Sequence, residues 1–213
     1  MSLQNRVTPF GDVIADPGRG QFTGNRGCLC YEAGKLARRR WRLMAWITCQ
    51  LNFKGWWRPV MQPGVWTELF FLDEATALAA GHRPCALCRR AEYNLYRQAW
   101  AKAQGLATPP KATEMDFHLH RERTRRDRGK LTFRARATEL PDGTMVRQPG
   151  PARKAMLIQK GRLMEWSPGG YVGTHSFTDN VFEVLTPKSS VLVLAAGYCP
   201  FLHASGHQLA AEN

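Results

Sequence analysis

The stretch "FFLDEATALAAGHRPCALCRR", residues 70–90, governs the reading of everything around it. Its apolar opening closes the short strand "VWTELFF". Asp73 then stands where a helix needs a side-chain acceptor for its free amides, strong helix formers follow, and Gly81 closes the helix. Pro84 can occupy the first turn of a second helix, predicted from Cys85 to Gln104 and stopped by Gly105. On that helix Leu87, Ala91, Leu95 and Ala99 would face inward, and Arg89, Arg90 and Arg97 outward. Two thiols, Cys85 and Cys88, therefore fall at a helix start among cations.

Upstream, residues 41–53 alternate with period two. Trp41, Leu43, Ala45, Ile47, Cys49, Leu51 and Phe53 share one side, which predicts an extended strand, or two bent strands, with that side in the core. Cys49 on this face reads as structural. Before it, "ADPGRGQFTGNRGCLC" reads as turns leading to Cys28 and Cys30. Downstream, "GLATPPKAT" is a linker, and a helix is predicted from Glu114 to Arg125 behind Thr113. From residue 131 short strands and turns dominate, until Thr186 caps, Pro187 opens and Gly197 ends a further helix. The expected fold class is α+β, in two units. Residues 1–108 form a zinc-stabilised mixed N-terminal unit, and residues 109–213 hold a linker helix and a small β-rich unit with a terminal helix.

The chain has 213 residues and is 44% hydrophobic, enough for a packed core. Thirty Lys and Arg against seventeen Asp and Glu give a net charge of +13. A polyanion is the natural partner for such a balance, so nucleic acid is expected, DNA ahead of RNA. No apolar run approaches the roughly 20 residues that span a bilayer, so no membrane partner is expected. The N-terminus lacks the apolar region of a signal peptide, which points to a cytoplasmic location and reduced thiols. The six cysteines then read as metal ligands, nucleophiles or core residues.

Cys28, Cys30, Cys85 and Cys88 make two close pairs. Tetrahedral Zn2+ takes four N or S ligands, and a C-x2-C at a helix N-terminus supplies two of them with amides turned toward the sulfurs. His82, two residues before Pro84, is the alternative to Cys30 as fourth ligand.

Residues 70–90 also resemble the Ada-type zinc domain of bacterial alkylation-response proteins. That family shows an aromatic strand, an Ala-rich helix, a Gly-aromatic-Arg-Pro-Cys turn and a second Cys three residues on. The resemblance places Cys85 and Cys88 as the second pair of zinc thiolates and Arg83 and Pro84 in the turn, with His82 where the family carries an aromatic. The family's first pair is spaced C-x3-C, whereas Cys28 and Cys30 are spaced C-x-C. The resemblance implies a role on damaged or modified DNA, with Cys28 in the place of the thiol that accepts a methyl group from a phosphotriester.

Arginines cluster. Arg38, Arg39, Arg40 and Arg42 form one group near Trp41, Trp46, Trp56 and Trp57. Arg83, Arg89 and Arg90 form a second group. Arg121, Arg123, Arg125, Arg126, Arg128 and Lys130 form a third. Arginine with interleaved aromatics suits phosphate neutralisation with base stacking. The first two groups are the predicted nucleic-acid contacts.

One rival site stands out. In "EMDFHLHRER" (residues 114–123) Asp116 with His120, and His118 with Glu122, share helix faces, a pattern compatible with a metal-dependent nuclease. The sequence thus supports three readings: a zinc-stabilised DNA-binding protein without turnover, that nuclease, and a protein-interaction module with architectural zinc.

Overall fold

The Ala-rich segment behind Asp73 forms helix α1 (Glu74–Ala79), and all six of its residues are buried. Small side chains let neighbours approach on every side, and each side meets a different apolar cluster. Ala77 packs with Val7, Leu29, Leu69 and Phe71. Ala75 and Ala79 pack with Met145, Leu157, Met164 and Leu185. Leu78 packs with Tyr93, Tyr96, Trp100, Met115 and Val193. A helix covered all round belongs at the centre of a fold, and the molecule is assembled around this one.

The structure is a computed structural model that describes residues 2–57, 59–125, 129–148, 150–176 and 179–211. The strands up to the thiol motif are β1 (Gln4–Val7), β2 (Val13–Ala15), β3 (Phe22–Asn25), β4 (Cys30–Glu32), β5 (Lys35–Leu36), β6 (Ile47–Gln50), β7 (Leu69–Phe71) and β8 (Arg83–Pro84). Six of them form one sheet in the order β2-β1-β7-β3-β6-β8, and β4 and β5 form a separate two-stranded sheet. Most pairings are antiparallel, but β1 runs parallel to β7 and β6 parallel to β8. A Cβ on Gly24 of β3 would collide with the Ile47 carbonyl, so glycine at this point allows β3 and β6 to pair closely.

After the motif come α2 (Arg90–Gln104) and α3 (Ala112–Arg123). A second sheet then follows, built from β9 (Phe133–Arg136), β10 (Met145–Arg147), β11 (Ala155–Gln159), β12 (Arg162–Ser167), β13 (Gly170–Ser176) and β14 (Val181–Val184). Its order is β13-β12-β11-β10-β14-β9, and every pairing is antiparallel. Helices α4 (Lys188–Ala195) and α5 (Ala204–Ala211) close the chain. The fold class is α+β.

Two buried carboxylates tie the last segment to α1. Asp73 caps α1 through the Thr76 amide at 2.8 Å and also accepts from the Tyr171 hydroxyl at 2.7 Å and the His203 amide at 3.2 Å. Burial raises its pKa, against the pull of these donors. Glu74 accepts from the Tyr198 hydroxyl at 2.5 Å and the Phe201 amide at 3.0 Å.

Several local expectations need correction. The strand predicted over residues 41–53 is regular only from Ile47 to Gln50, and Leu43 and Leu51 are exposed. Pro84 does not open a helix; it lies in β8 beside Thr48, and α2 begins at Arg90. The buried side of α2 is made by Tyr93, Tyr96 and Trp100, while Leu87 and Leu95 face solvent. Large rings fill the space against α1 and α4, and they set the helix phase ahead of the smaller residues. The third of the later helices starts at Lys188 without a Thr186 side-chain cap. Thr186 instead accepts from the Met145 amide, and Glu122 accepts from the Ser189 amide at 2.9 Å.

Candidate metal centre and basic surface

Three sulfurs gather where β6 meets the C-x2-C turn. The Cys85 amide donates to the Thr48 carbonyl at 2.9 Å, continuing the parallel pairing of Ile47 with Arg83 and Thr48 with Pro84. Cys49, the next residue, is thereby carried to Cys85, and the turn brings Cys88 round to both. The three Sγ atoms all lie within 4.8 Å of one another. Two thiolates bound to one tetrahedral zinc at about 2.3 Å stand roughly 3.8 Å apart, so the spacing suits one ion. Cys49 and Cys85 are buried and Cys88 half-buried.

The chemistry of the donor set also fits a cation. The Leu87 amide points at the Cys85 sulfur, 3.4 Å away. Hydrogen bonds from Cys49 and Cys88, with further help from the Cys88 and Leu87 amides, lower the Cys85 pKa far below the usual thiol range. The same sharing, which makes Cys49 the proton donor, pushes the Cys49 pKa far up. Three crowded sulfurs that compete for protons in this way can all ionise once a divalent ion neutralises them. The group can hold a metal, with Cys49, Cys85 and Cys88 as the ligands and one tetrahedral position left over.

This trio differs from the predicted set. Cys85 and Cys88 are in it, and Cys49, read as structural, is the third member. Cys28 and Cys30 are not among the gathered sulfurs. Cys30 is buried, and its sulfur accepts from the Thr67 hydroxyl at 3.4 Å; burial raises its pKa. Cys28 is half-buried, with its sulfur 4.0 Å from the Cys30 carbonyl. His82 is also elsewhere, wholly buried between Phe71 and Trp46 at ring separations of 4.6 and 5.2 Å. Its Nε2 accepts from Arg26 Nε at 3.3 Å. No local spacing marks Cys49, which is 36 positions before Cys85; only the β6–β8 pairing reveals it.

The arginine clusters divide by depth. Arg83 is 4% exposed and grips Asp116 with two hydrogen bonds of 2.8 and 2.7 Å. Arg89 is 3% exposed, with an ion pair to Glu74 at 2.9 Å. Neither guanidinium is presented to solvent, so both serve as internal counter-ions rather than as surface contacts. Arg90 is exposed at the start of α2, where its Nη1 donates to the Ala86 carbonyl. Arg38, Arg39, Arg40 and Arg42 are all exposed and line an open depression with Trp41. Arg40 pairs with Asp12 at 2.8 Å, whereas Arg38, Arg39 and Arg42 have no ion-pair partner among the described residues. Trp56 and Trp57 are 66% and 84% exposed just beyond β6. In the third cluster Arg123 is buried, Arg121 and Arg125 are exposed, and Arg126 and Arg128 lie outside the described residues.

The acidic and histidine residues of α3 are placed otherwise than a nuclease centre requires. Asp116 is buried under Arg83, and Glu122 accepts from the Ser189 amide and hydroxyl. His120 packs edge-on against Trp41 at 4.4 Å, while His118 is exposed beside Trp100. Among the described residues, none of these four belongs to a cluster of three or more ligands.

Fold and site together define an α+β protein with a three-cysteine group able to hold a metal. No described helix is long and apolar enough to cross a membrane. Comparison with protein-family models, curated proteins and solved structures finds no match.

Proposed function

We propose that the chain is a zinc-containing DNA-binding protein. In this reading Cys49, Cys85 and Cys88 hold the ion, and Arg38, Arg39, Arg40 and Arg42 meet the phosphate backbone. Zinc when bound would supply a fixed positive centre that keeps three sulfurs ionised and β6 clamped to the C-x2-C turn. The observation that carries the reading is the exposure of Arg38, Arg39 and Arg42 without carboxylate partners among the described residues. A folded protein of +13 that leaves such a run open is built to meet an anion.

The ligands fix the strand between the two surface features. The arginine run enters β6 and the loop carrying Trp56 and Trp57 leaves it, so anchoring Cys49 orients both. Guanidinium groups would take phosphates while exposed indoles offer stacking faces to unpaired bases. The Ada-type resemblance of residues 70–90 points the same way by sequence alone, since His82 and Arg83 of its turn are buried. The methyl-accepting role falls on Cys28, whose sulfur is outside the trio, so binding is proposed here rather than methyl transfer. A cytoplasmic location accords with three closely spaced reduced thiols.

The test is equilibrium binding of the zinc-loaded protein to duplex DNA, single-stranded DNA and RNA over a series of salt concentrations. The logarithm of the affinity should fall linearly with the logarithm of salt, by about 0.9 per duplex phosphate neutralised. Absence of binding at low salt, or affinity indifferent to salt, would leave zinc as the architecture of some other interaction surface.

A further inference from the structure

Beside the exposed arginine run lies a second cationic feature of a different kind. A half-open pocket is lined by Arg26, Arg40, Arg123, Lys130, Trp41 and Trp46, among others. Its enclosed space is about 20 Å3, room for one water-sized atom, and the rest of it is open to solvent. Arg26 and Arg123 are the two largest fully buried side chains among the described residues. Each guanidinium carbon stands 4.1 Å from the centre of the Trp46 ring.

These cations are held by neutral groups. Arg26 donates to the Gly11 carbonyl at 2.9 Å and to His82, Arg123 donates to the Gly81 and Met44 carbonyls, and Lys130 donates to the Ala79 carbonyl. The carboxylates that act on them from a distance are already engaged: Asp12, felt by Arg26 and Lys130, is shared by Arg40 and Arg153 at the rim, and Asp116, felt by Arg123, is held by Arg83. Among the described residues no carboxylate forms an ion pair with Arg26, Arg123 or Lys130. Two buried donors, Arg26 Nη2 and Arg123 Nε, have no hydrogen-bond partner among the described residues. Leaving a charged donor without a partner is costly, so such groups in a lined pocket point to a missing acceptor.

We infer that this pocket binds a phosphoryl group. Arg26 Nη2 and Arg123 Nε would donate to its oxygens, with Lys130 and Arg40 adding charge. Phosphate answers three requirements at once. Its double charge matches the excess of cations, its tetrahedral oxygens can meet donors from several directions, and one oxygen fits the small enclosed space while the ester side faces solvent. Charge-assisted bonds from arginine to phosphate are the strong ones. The crowding is visible in the groups themselves. Burial, with the neighbouring cations adding to it, brings Arg26 and Arg123 down to about 9 and Lys130 to about 7. An anion in the pocket would reverse that pressure.

The phosphate can come from the end of a DNA strand or from a small free phosphate. The first source rests on the DNA-binding proposal and the second does not. Thermal unfolding of the whole zinc-loaded protein is measured in sodium phosphate and in sodium chloride at equal ionic strength. Phosphate should raise the midpoint, and tungstate, a heavy tetrahedral oxyanion, should appear in the pocket by anomalous diffraction. Arg26→Met should abolish the phosphate effect. If that variant does not fold, Lys130→Met, which loses a single carbonyl bond, should reduce it. Equal midpoints in both salts with no tungstate in the pocket would overturn the inference. Oligonucleotides then separate the sources. A strand with a 5′ or 3′ phosphate bound about tenfold more tightly than its unphosphorylated twin assigns the pocket to strand ends. Phosphate stabilisation without that preference assigns it to a small phosphate. DNA binding with neither effect sustains the DNA reading and sinks this one, and phosphate stabilisation without DNA binding does the reverse.

Discussion

The Cys85 amide and the Thr48 carbonyl are joined by a backbone hydrogen bond of 2.9 Å, and that bond decides which cysteines meet. It extends a parallel pairing between β6 and β8 by one residue, so Cys49 arrives beside the C-x2-C turn. Purified protein should therefore carry one zinc per chain. Cys49→Ala should lose it as completely as Cys85→Ala, whereas Cys28→Ala should keep it. Elemental analysis with a count of free thiols reads this directly. Zinc retained by Cys49→Ala and lost by Cys28→Ala would restore the pairing predicted from spacing alone. Removing the metal with a chelator should lower the unfolding midpoint, because the ion binds only the folded arrangement.

Arg83 and Asp116 give a second prediction. Both are buried and joined by two hydrogen bonds. Asp116→Ala leaves a buried guanidinium without its counter-charge, which costs about 3–5 kcal/mol. The exposed pair Lys35–Glu32 at 3.0 Å should cost below about 1 kcal/mol when Glu32 is replaced by alanine. Denaturant unfolding of the two variants measures the contrast. A folded, stable Asp116→Ala protein would show that the carboxylate is not a structural counter-ion, and would reopen its role as a metal ligand.

How much of this was legible in the sequence depends on the range of the determining contacts. Asp73, Gly81 and Gly105 act within one turn of their own helices, and each does what its residue type implies. Cys85 and Cys88 are similarly local. The role of Cys49 was hidden, because a thiol on a half-apolar strand looks the same whether it faces leucine or a second thiol. The depth of Arg83 and Arg89 was hidden for a related reason. Their partners Asp116 and Glu74 lie 33 and 15 positions away, and a cation beside a thiol motif reads as surface until its carboxylate is found. The phase of α2 is hidden because alanine and leucine also recur at helical spacing, while Tyr93, Tyr96 and Trp100 fill the interior.

His82 supplies a pH prediction. Burial, followed by the nearby Arg26 and Arg123, holds its imidazole neutral, with a pKa well below the ordinary 6.5. In the unfolded chain the ring gains a proton as pH falls through 6.5, and in the fold it does not. The unfolded state then binds more protons, so stability is full above 6.5 and declines below it, by up to about 1.4 kcal/mol per pH unit. Replacing His82 with phenylalanine, a ring that suits its place between Phe71 and Trp46, should remove this dependence between pH 6.5 and 5.5. Denaturant unfolding across that window compares the two slopes; parallel slopes would mean that His82 is protonated inside the fold.

The exposed arginines give the last prediction. Arg38, Arg39 and Arg42 lack carboxylate partners among the described residues, so alanine at these positions exposes no orphaned charge and should leave the unfolding midpoint nearly unchanged. On duplex DNA each contacting side chain lost should shallow the salt dependence by about 0.9 and weaken binding evenly across sequences, because phosphate contacts carry no base information. Arg83→Ala should behave in the opposite way, damaging stability through Asp116 first. Any effect of that variant on DNA should vanish once binding is corrected for the fraction folded. A salt slope untouched by Arg38→Ala, Arg39→Ala and Arg42→Ala together would move the DNA contacts to another face. A steep loss from Arg90→Ala, at the exposed start of α2, would locate that face beside the C-x2-C turn.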